Sequence, residues 1–233
     1  MGEIQVIALG GSLLRPDSEH DRNDWIDNIL SILTQGVEKG MKFVLIIGGG
    51  APAREYISIA QRFVSSAHRL DTIGIAATRL NATLLQQIFL SHGLNVSSSI
   101  PIVISELEHA LKDCDIVVMG GTQPGQTTDT VAVEAACFIQ ARHCLIATNV
   151  SHVFTKDPRH HSDAQPISSL RLYELLELSG EALEPGASTV VDPVAIKKAI
   201  DGQMKLLVVD GRDTMRIQAA ITGLEFEGTV VQP

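Results

Sequence analysis

The chain has 233 residues with a formal net charge of −9, 45% hydrophobic and only 4% aromatic residues. That acidic balance excludes general nucleic-acid binding, which needs a basic face, and the aliphatic-rich, aromatic-poor make-up suits an α/β core. Three cysteines (Cys114, Cys137, Cys144) form no CxxC and no even disulfide set, and no apolar run approaches a membrane span, so a cytoplasmic protein with no membrane or nucleic-acid partner is expected.

The start of the chain runs directly into an apolar segment, 3–9, with no basic leader of a secretory signal. This predicted strand ends in the turn Gly10-Gly11-Ser12, and a helix is predicted over 22–38. A second apolar run, 42–47, leads into Gly48-Gly49-Gly50 and then Ala51-Pro52-Ala53-Arg54. Three glycines let a backbone approach a ligand, and Pro52 suits the first turn of a helix predicted over 51–66. Arg54 falls about one turn into that helix, where its guanidinium reaches back to a phosphate at the helix N-terminus; a solvated surface arginine is the alternative. Asp71 precedes a long predicted helix, 72–91, and is placed to cap it. A strand over 100–104 and a helix over 105–112 follow.

The most informative stretch is GGTQPGQTTDTVA, Gly120 to Ala132. It follows a predicted strand, 115–119, and opens a predicted helix, 128–140. Glycines, hydroxyls and one carboxylate at a strand-to-helix turn expose N–H and O–H donors to an anion. An ordinary capped turn is the competing reading, and for Asp129 helix stabilisation is favoured over chemistry. After a strand over 143–147, the polar segment 151–168 reads as a loop or short hairpin. Helices over 169–178, 193–201 and 212–222 and strands over 205–209 and 228–231 complete the chain. Asp192 precedes Pro193, so it caps the next helix or serves chemistry, and Lys197 and Lys198 lie on that helix.

Alternation of buried strands with amphipathic helices gives a three-layer αβα fold with a central, mainly parallel sheet, its glycine turns gathered at the carboxyl edge. Two lobes sharing that sheet, roughly 1–140 and 141–233, are expected within one domain. None of the turns is a G-x-x-x-x-G-K-[ST] phosphate loop or a G-x-G-x-x-G fingerprint, there is no G-x-S-x-G elbow, and His152, His160 and His161 lack metal-ligand spacing.

Taken together, ALGGS (8–12), IIGGGAPAREY (46–56), DTIGIAATRLNA (71–82), VVMGGTQPGQTTDTVA (117–132), ATNVSHVFTKDP (147–158) and VVDPVAIKKA (190–199) resemble, in order and spacing, the amino acid kinase superfamily and within it the archaeal-type uridylate (UMP) kinases. The resemblance implies transfer of the γ-phosphoryl group of ATP to UMP, with ATP and Mg²⁺ required and a homohexamer formed. It places Gly11, Ser12, Gly50, Arg54, Thr148, Asn149, Phe154 and Asp157 at ATP. It places Gly49, Asp71, Thr122, Gln123, Pro124, Gly125, Gln126, Thr127 and Thr128 at UMP, and it gives Arg54, Asp192 and Lys197 catalytic roles. Arg79 reads as a structural residue. The first lobe then resembles the acceptor half and the second the ATP half.

Two departures stand out. Ser151-His152 replaces the Asp-Gly that members commonly carry, which implies a turn that histidine takes at a steric cost, and the first strand lacks the lysine of bacterial members. These motivate a non-catalytic nucleotide-binding or storage protein as the alternative class. A kinase of another small phosphate or acid is the alternative on the same fold, although the histidine of isopentenyl phosphate kinases is missing from 48–54.

Overall fold

The computed structural model describes residues 2–14, 19–180 and 190–233. Its strands are β1 (Ile4–Leu9), β2 (Lys42–Ile47), β3 (Ile116–Met119), β4 (Cys144–Thr148), β5 (Val153–Phe154), β6 (Pro166–Ile167), β7 (Ser169–Arg171), β8 (Leu206–Asp210) and β9 (Thr229–Gln232). The helices are α1 (Glu19–Glu38), α2 (Gly50–Gln61), α3 (Ala67–Ser91), α4 (Leu107–Asp113), α5 (Thr128–Phe138), α6 (Leu172–Ser179), α7 (Pro193–Asp201) and α8 (Thr214–Thr222).

Seven strands form one sheet in the order β3-β2-β1-β4-β8-β9-β7. Its first five strands are mutually parallel, while β8 and β9 pair antiparallel and β7 runs parallel to β9. Apolar runs without alternation are what such a sheet requires, because both of its faces are covered. Val6, Ala8, Val44, Ile46, Val117 and Met119 face one side, against α5 and α7. Ile7, Leu9, Leu45, Ile47, Leu145 and Val209 face the other, against Trp25 and Leu33 of α1, Leu85 and Phe89 of α3 and Ile217 of α8. The expected three-layer α/β architecture is the one observed. Trp25 also ties α1 to the carboxyl end of β8, its indole N–H donating to Gly211 O at 2.7 Å. Among the described residues, no helix is long and apolar enough to cross a membrane.

The largest differences from the sequence reading concern strands and helix starts. Residues 100–104 form no strand; Val96 instead bridges Ile116 at the sheet edge, and a 3-10 turn covers Ile104–Glu106. Pro101 has no N–H to give a ladder, and the Ile102 N–H is taken locally by the Glu106 carboxylate at 2.8 Å. The expected helix over 169–178 begins as β7, which pairs with β9, and α6 starts at Leu172, where Glu174 accepts from Arg171 N at 2.6 Å. Helix α2 ends at Gln61 instead of 66, and α3 begins at Ala67, so Asp71 lies inside the helix and does not cap it. The segment 151–168 does contain a short hairpin, β5–β6, antiparallel and anchored at its base by Thr229.

Candidate active site

The strand order sets the carboxyl ends of β3, β2, β1 and β4 side by side. The crossovers run one way from β1 through β2 to β3, and β4 lies on the other side of β1, so the sheet has its switch point between β1 and β4. Ligands of open α/β sheets bind at such a point. Each turn is bonded to the end of its neighbour: Gly48 N to Leu9 O at 2.9 Å, Gly10 N to Ala147 O at 3.0 Å, and Gly211 N to Thr148 O at 2.7 Å.

The first two glycine turns touch backbone to backbone. A methyl group on Gly11 would overlap Gly50 N and Gly48 O, and one on Gly50, whose φ is +61°, would overlap Gly11 O. These glycines are therefore required by the packing of two turns on each other, before any ligand enters. The α3 helix clamps the assembly. Asn81, 6% exposed, donates to Gly48 O at 2.8 Å and Gly49 O at 3.1 Å. Thr78 Oγ1 accepts from Gly121 N at 2.7 Å, and Arg79 donates to Gly121 O at 3.1 Å and Thr122 O at 3.2 Å. Arg79 is thus the structural residue expected. Arg54, one turn into α2, is exposed, and its guanidinium makes no hydrogen bond or ion pair with any described residue.

On the far side of the switch point, Thr148, Asn149, Phe154 and Asp157 line one cleft of about 360 Å³, together with Lys156, Arg159 and Leu175. Four of the eight residues placed at ATP therefore meet in one cavity. Gly11, Ser12, Gly50 and Arg54 lie outside it, at the ends of β1 and β2. Asp157 is held down at about 2 by hydrogen bonds from Arg159, at 2.7 and 3.1 Å from its guanidinium and 2.9 Å from its N–H.

On the near side, the 122–128 loop is braced from three directions. Asp71 accepts from Gly125 N at 2.8 Å, Thr122 Oγ1 donates to Gln126 Oε1 at 3.0 Å, and Gln126 Nε2 donates to Glu134 Oε1 at 3.0 Å. Gly125 takes a φ of +82°, and Gln123 stands exposed beside Pro124. Thr127 caps α5, accepting from Thr130 N at 3.3 Å. Asp192, 5% exposed, accepts from the hydroxyls of Thr127 at 2.7 Å and Thr130 at 2.8 Å and caps α7 through Val194 N at 3.0 Å. One carboxylate thus joins the N-termini of α5 and α7. Thr128 is part-buried in the first turn of α5. Lys197 is exposed and has no ion pair among the described residues, whereas Lys198 pairs with Glu134 at 3.0 Å.

Residues 3–210 match the model of the amino acid kinase family. The chain belongs to that family. It is 37% identical over 229 residues to a uridylate kinase of Methanococcus aeolicus, covering 98% of this chain and 99% of the relative. It is 34% identical to a uridylate kinase of Pyrococcus abyssi over 98% of this chain and 99% of that one. The crystal structure of a uridylate kinase from Archaeoglobus fulgidus superposes with a TM-score of 0.81 at 34% identity, covering 99% and 100% of the two chains.

Within this amino acid kinase, the Ser151-His152 departure does not strain the backbone. The described non-glycine residues with positive φ are Gln140 and Gln203, so His152 adopts an ordinary conformation and the expected steric cost is absent. Its ring packs edge-on to Phe154, with centroids 6.2 Å apart at 79°, and its Nδ1 is buried without a hydrogen-bond partner. The polar residues Thr78 and Asn81, which clamp the turns, escaped the sequence reading. Their signal was present, since both interrupt the buried stripe of α3 that runs through Ala77, Ala82, Leu85 and Phe89.

Asp129, in the first turn of α5, carries the most displaced carboxyl of the site. Burial and the nearby Asp192 carboxylate push it up from 3.8 to about 7, against one lowering contribution from the Asp192 N–H. A carboxyl raised in the folded state stabilises the protein fully below its unfolded value, and that contribution is lost as pH rises through the folded value. The window runs from about pH 4 to about pH 7. Asp129→Asn is therefore expected to flatten the decline in Tm between pH 5 and pH 8 and to leave the variant more stable than wild type at pH 8. Parallel Tm profiles for the two proteins would contradict this.

Proposed function

We propose that this amino acid kinase transfers the γ-phosphoryl group of ATP to UMP, giving UDP and ADP. The observation that carries the reading is positional: the backbone-packed turns of β1 and β2 lie between a nucleotide-sized cleft at the end of β4 and the threonine-rich loop at the end of β3. Donor and acceptor phosphates held from these two sides meet over glycine N–H groups, beside Arg54. Phosphoryl transfer needs positioning and neutralised charge more than covalent help from the protein.

In this reading residues 1–140 form the acceptor half and 141–233 the donor half. Thr148, Asn149, Phe154 and Asp157 hold the nucleoside of ATP, and Gly11, Ser12 and Gly50 present N–H groups to its phosphates. Gly49, Asp71 and the loop Thr122, Gln123, Pro124, Gly125, Gln126, Thr127 and Thr128 hold UMP. Arg54 spans both phosphates, and Lys197 adds charge from α7. Asp192 orders the site by joining α5 to α7.

A magnesium ion is part of the proposal. Among the described residues no group of three or more ligating side chains exists, and an ion of this kind would be held mainly by donor phosphates and water. Magnesium, when bound, neutralises charge on the donor phosphates. Assembly into a homo-oligomer, with a hexamer as the form the resemblance suggests, is supported by the row Tyr56, Ile59 and Phe63, exposed by 55%, 54% and 84% at helical spacing on and just beyond α2. A cytosolic setting accords with three free cysteines.

Steady-state rates with UMP, CMP and AMP test the acceptor assignment: UMP should show the highest kcat/KM, and comparable turnover of AMP would overturn it. The donor side has its own test. Ser151→Asp/His152→Gly removes the ring that packs on Phe154, and it should shift the KM for ATP while leaving the KM for UMP within about twofold, with a stability change of roughly 1 kcal/mol either way. A large change in the KM for UMP with that for ATP unaffected would mean the two halves are assigned the wrong way round.

A further inference from the structure

A chain of four polar side chains runs from α7 to the acceptor loop, and its hydrogen bonds have only one possible direction. Lys198 Nζ lies 3.0 Å from Glu134 Oε1. An ammonium only donates and an ionised carboxylate only accepts. Gln126 meets that same Oε1 at 3.0 Å, so the group it presents there must be its NH₂. Its carbonyl is thereby turned to the opposite side, where Thr122 Oγ1 donates to it at 3.0 Å. With its proton used on Gln126, the Thr122 hydroxyl has only lone pairs left, and the Gln126 carbonyl keeps one lone pair of its own. The loop therefore offers hydrogen-bond acceptors from both residues.

Resting on the reading of this loop as the uridine nucleotide site, we propose that Glu134 and Lys198 are positioning residues that fix the Gln126 amide with its carbonyl toward the base, so that the site selects uracil over cytosine. Uracil presents a donor at ring N3, flanked by two carbonyl oxygens. Cytosine presents a bare nitrogen acceptor at that same atom. An acceptor facing N3 pairs with the first and repels the second, and a buried mismatch of this kind discriminates far more than a lost contact does. Neither Glu134 nor Lys198 has to touch substrate. Their pair acts through the orientation of an amide whose two ends are nearly identical in shape.

The test inverts the chain while keeping its ion pair. In Glu134→Lys/Lys198→Glu the group facing Gln126 becomes a donor, so the amide turns over and directs its NH₂ to the base. The ratio of UMP to CMP affinity, measured by calorimetry without ATP, and the ratio of their kcat/KM values should both fall by about tenfold or more, while the affinity for ATP stays within about twofold. Glu134→Gln serves as a second, nearly isosteric variant. Its own amide allows Gln126 either orientation, and the same ratios should fall by about threefold. A wild-type protein that prefers UMP, together with folded variants that keep the full preference, overturns the positioning role and leaves the proposed function standing. A wild-type protein that binds CMP as tightly as UMP overturns the base assignment and the positioning role with it.

Discussion

Arg54→Ala should lower kcat/KM by about a hundredfold or more while leaving the fold intact. Arg54 lies one turn into α2, the helix that opens at Gly50 of the two packed glycine turns, and its side chain is exposed and without a partner among the described residues. Its removal therefore breaks no contact that holds the described structure together, and surface changes of that kind shift stability by about 0.5 kcal/mol at most. Chemistry is another matter. A donor aimed at charge that develops in the transition state is worth roughly 3 kcal/mol, and the first strand supplies no lysine to take over. Arg54→Lys should recover only part of the loss, because the planar fork that spans two oxygens is gone. Near-normal kinetics in the alanine variant would make Arg54 a solvated surface charge. Equal losses in Tm and activity would make it structural.

Asp192→Ala carries the largest expected effect on stability. Its carboxylate accepts from Thr127, Thr130 and the N–H of Val194, and Thr130 is fully buried. The substitution removes a helix cap, worth about 1 kcal/mol, and strands a buried hydroxyl at a cost of about 1–3 kcal/mol. A total near 3 kcal/mol corresponds to a fall of about 10 °C in Tm for a domain of this size. Asp192→Asn keeps the shape and an acceptor for Val194 N, so it should restore most of the stability. If the carboxylate also organises charge in the reaction, Asn restores the fold without restoring kcat, and this separation tells the two roles apart. An alanine variant within about 1 kcal/mol of wild type would show that α5 and α7 hold together without the carboxylate.

The layers and most strands were legible because continuous apolar runs separated by glycine turns admit few arrangements other than a covered parallel sheet. Legibility ended where a local hydrogen bond outranked composition. Ile100 to Ile104 has the make-up of a strand, yet Pro101 and the Glu106 carboxylate take it out of the ladder. Ser169 to Arg171 has the sequence of a helix's first turn, because a three-residue strand leaves no period to detect. At the site, single residues were readable and their pairings were not. Arg54 stands out beside three glycines in the sequence, whereas nothing in the sequence indicates that Gly11 and Gly50 fill each other's missing side chains, or that Asp71 reaches Gly125 across 54 positions. Asp192 shows both faces of the problem. Its position before Pro193 suggested a cap, and its two threonine partners come from a motif over 60 residues earlier.

The proposed reaction is a phosphoryl transfer from ATP to UMP between the two halves of one carboxyl edge. Phosphorus NMR of the wild-type protein with ATP, magnesium and UMP follows that transfer directly. The UMP resonance should give way to the pair of UDP resonances as ATP gives way to ADP, in equal amounts, and Arg54→Ala should slow this exchange by about a hundredfold. ATP consumed without any UDP, or UMP left unchanged while another monophosphate is converted under the same conditions, would contradict it.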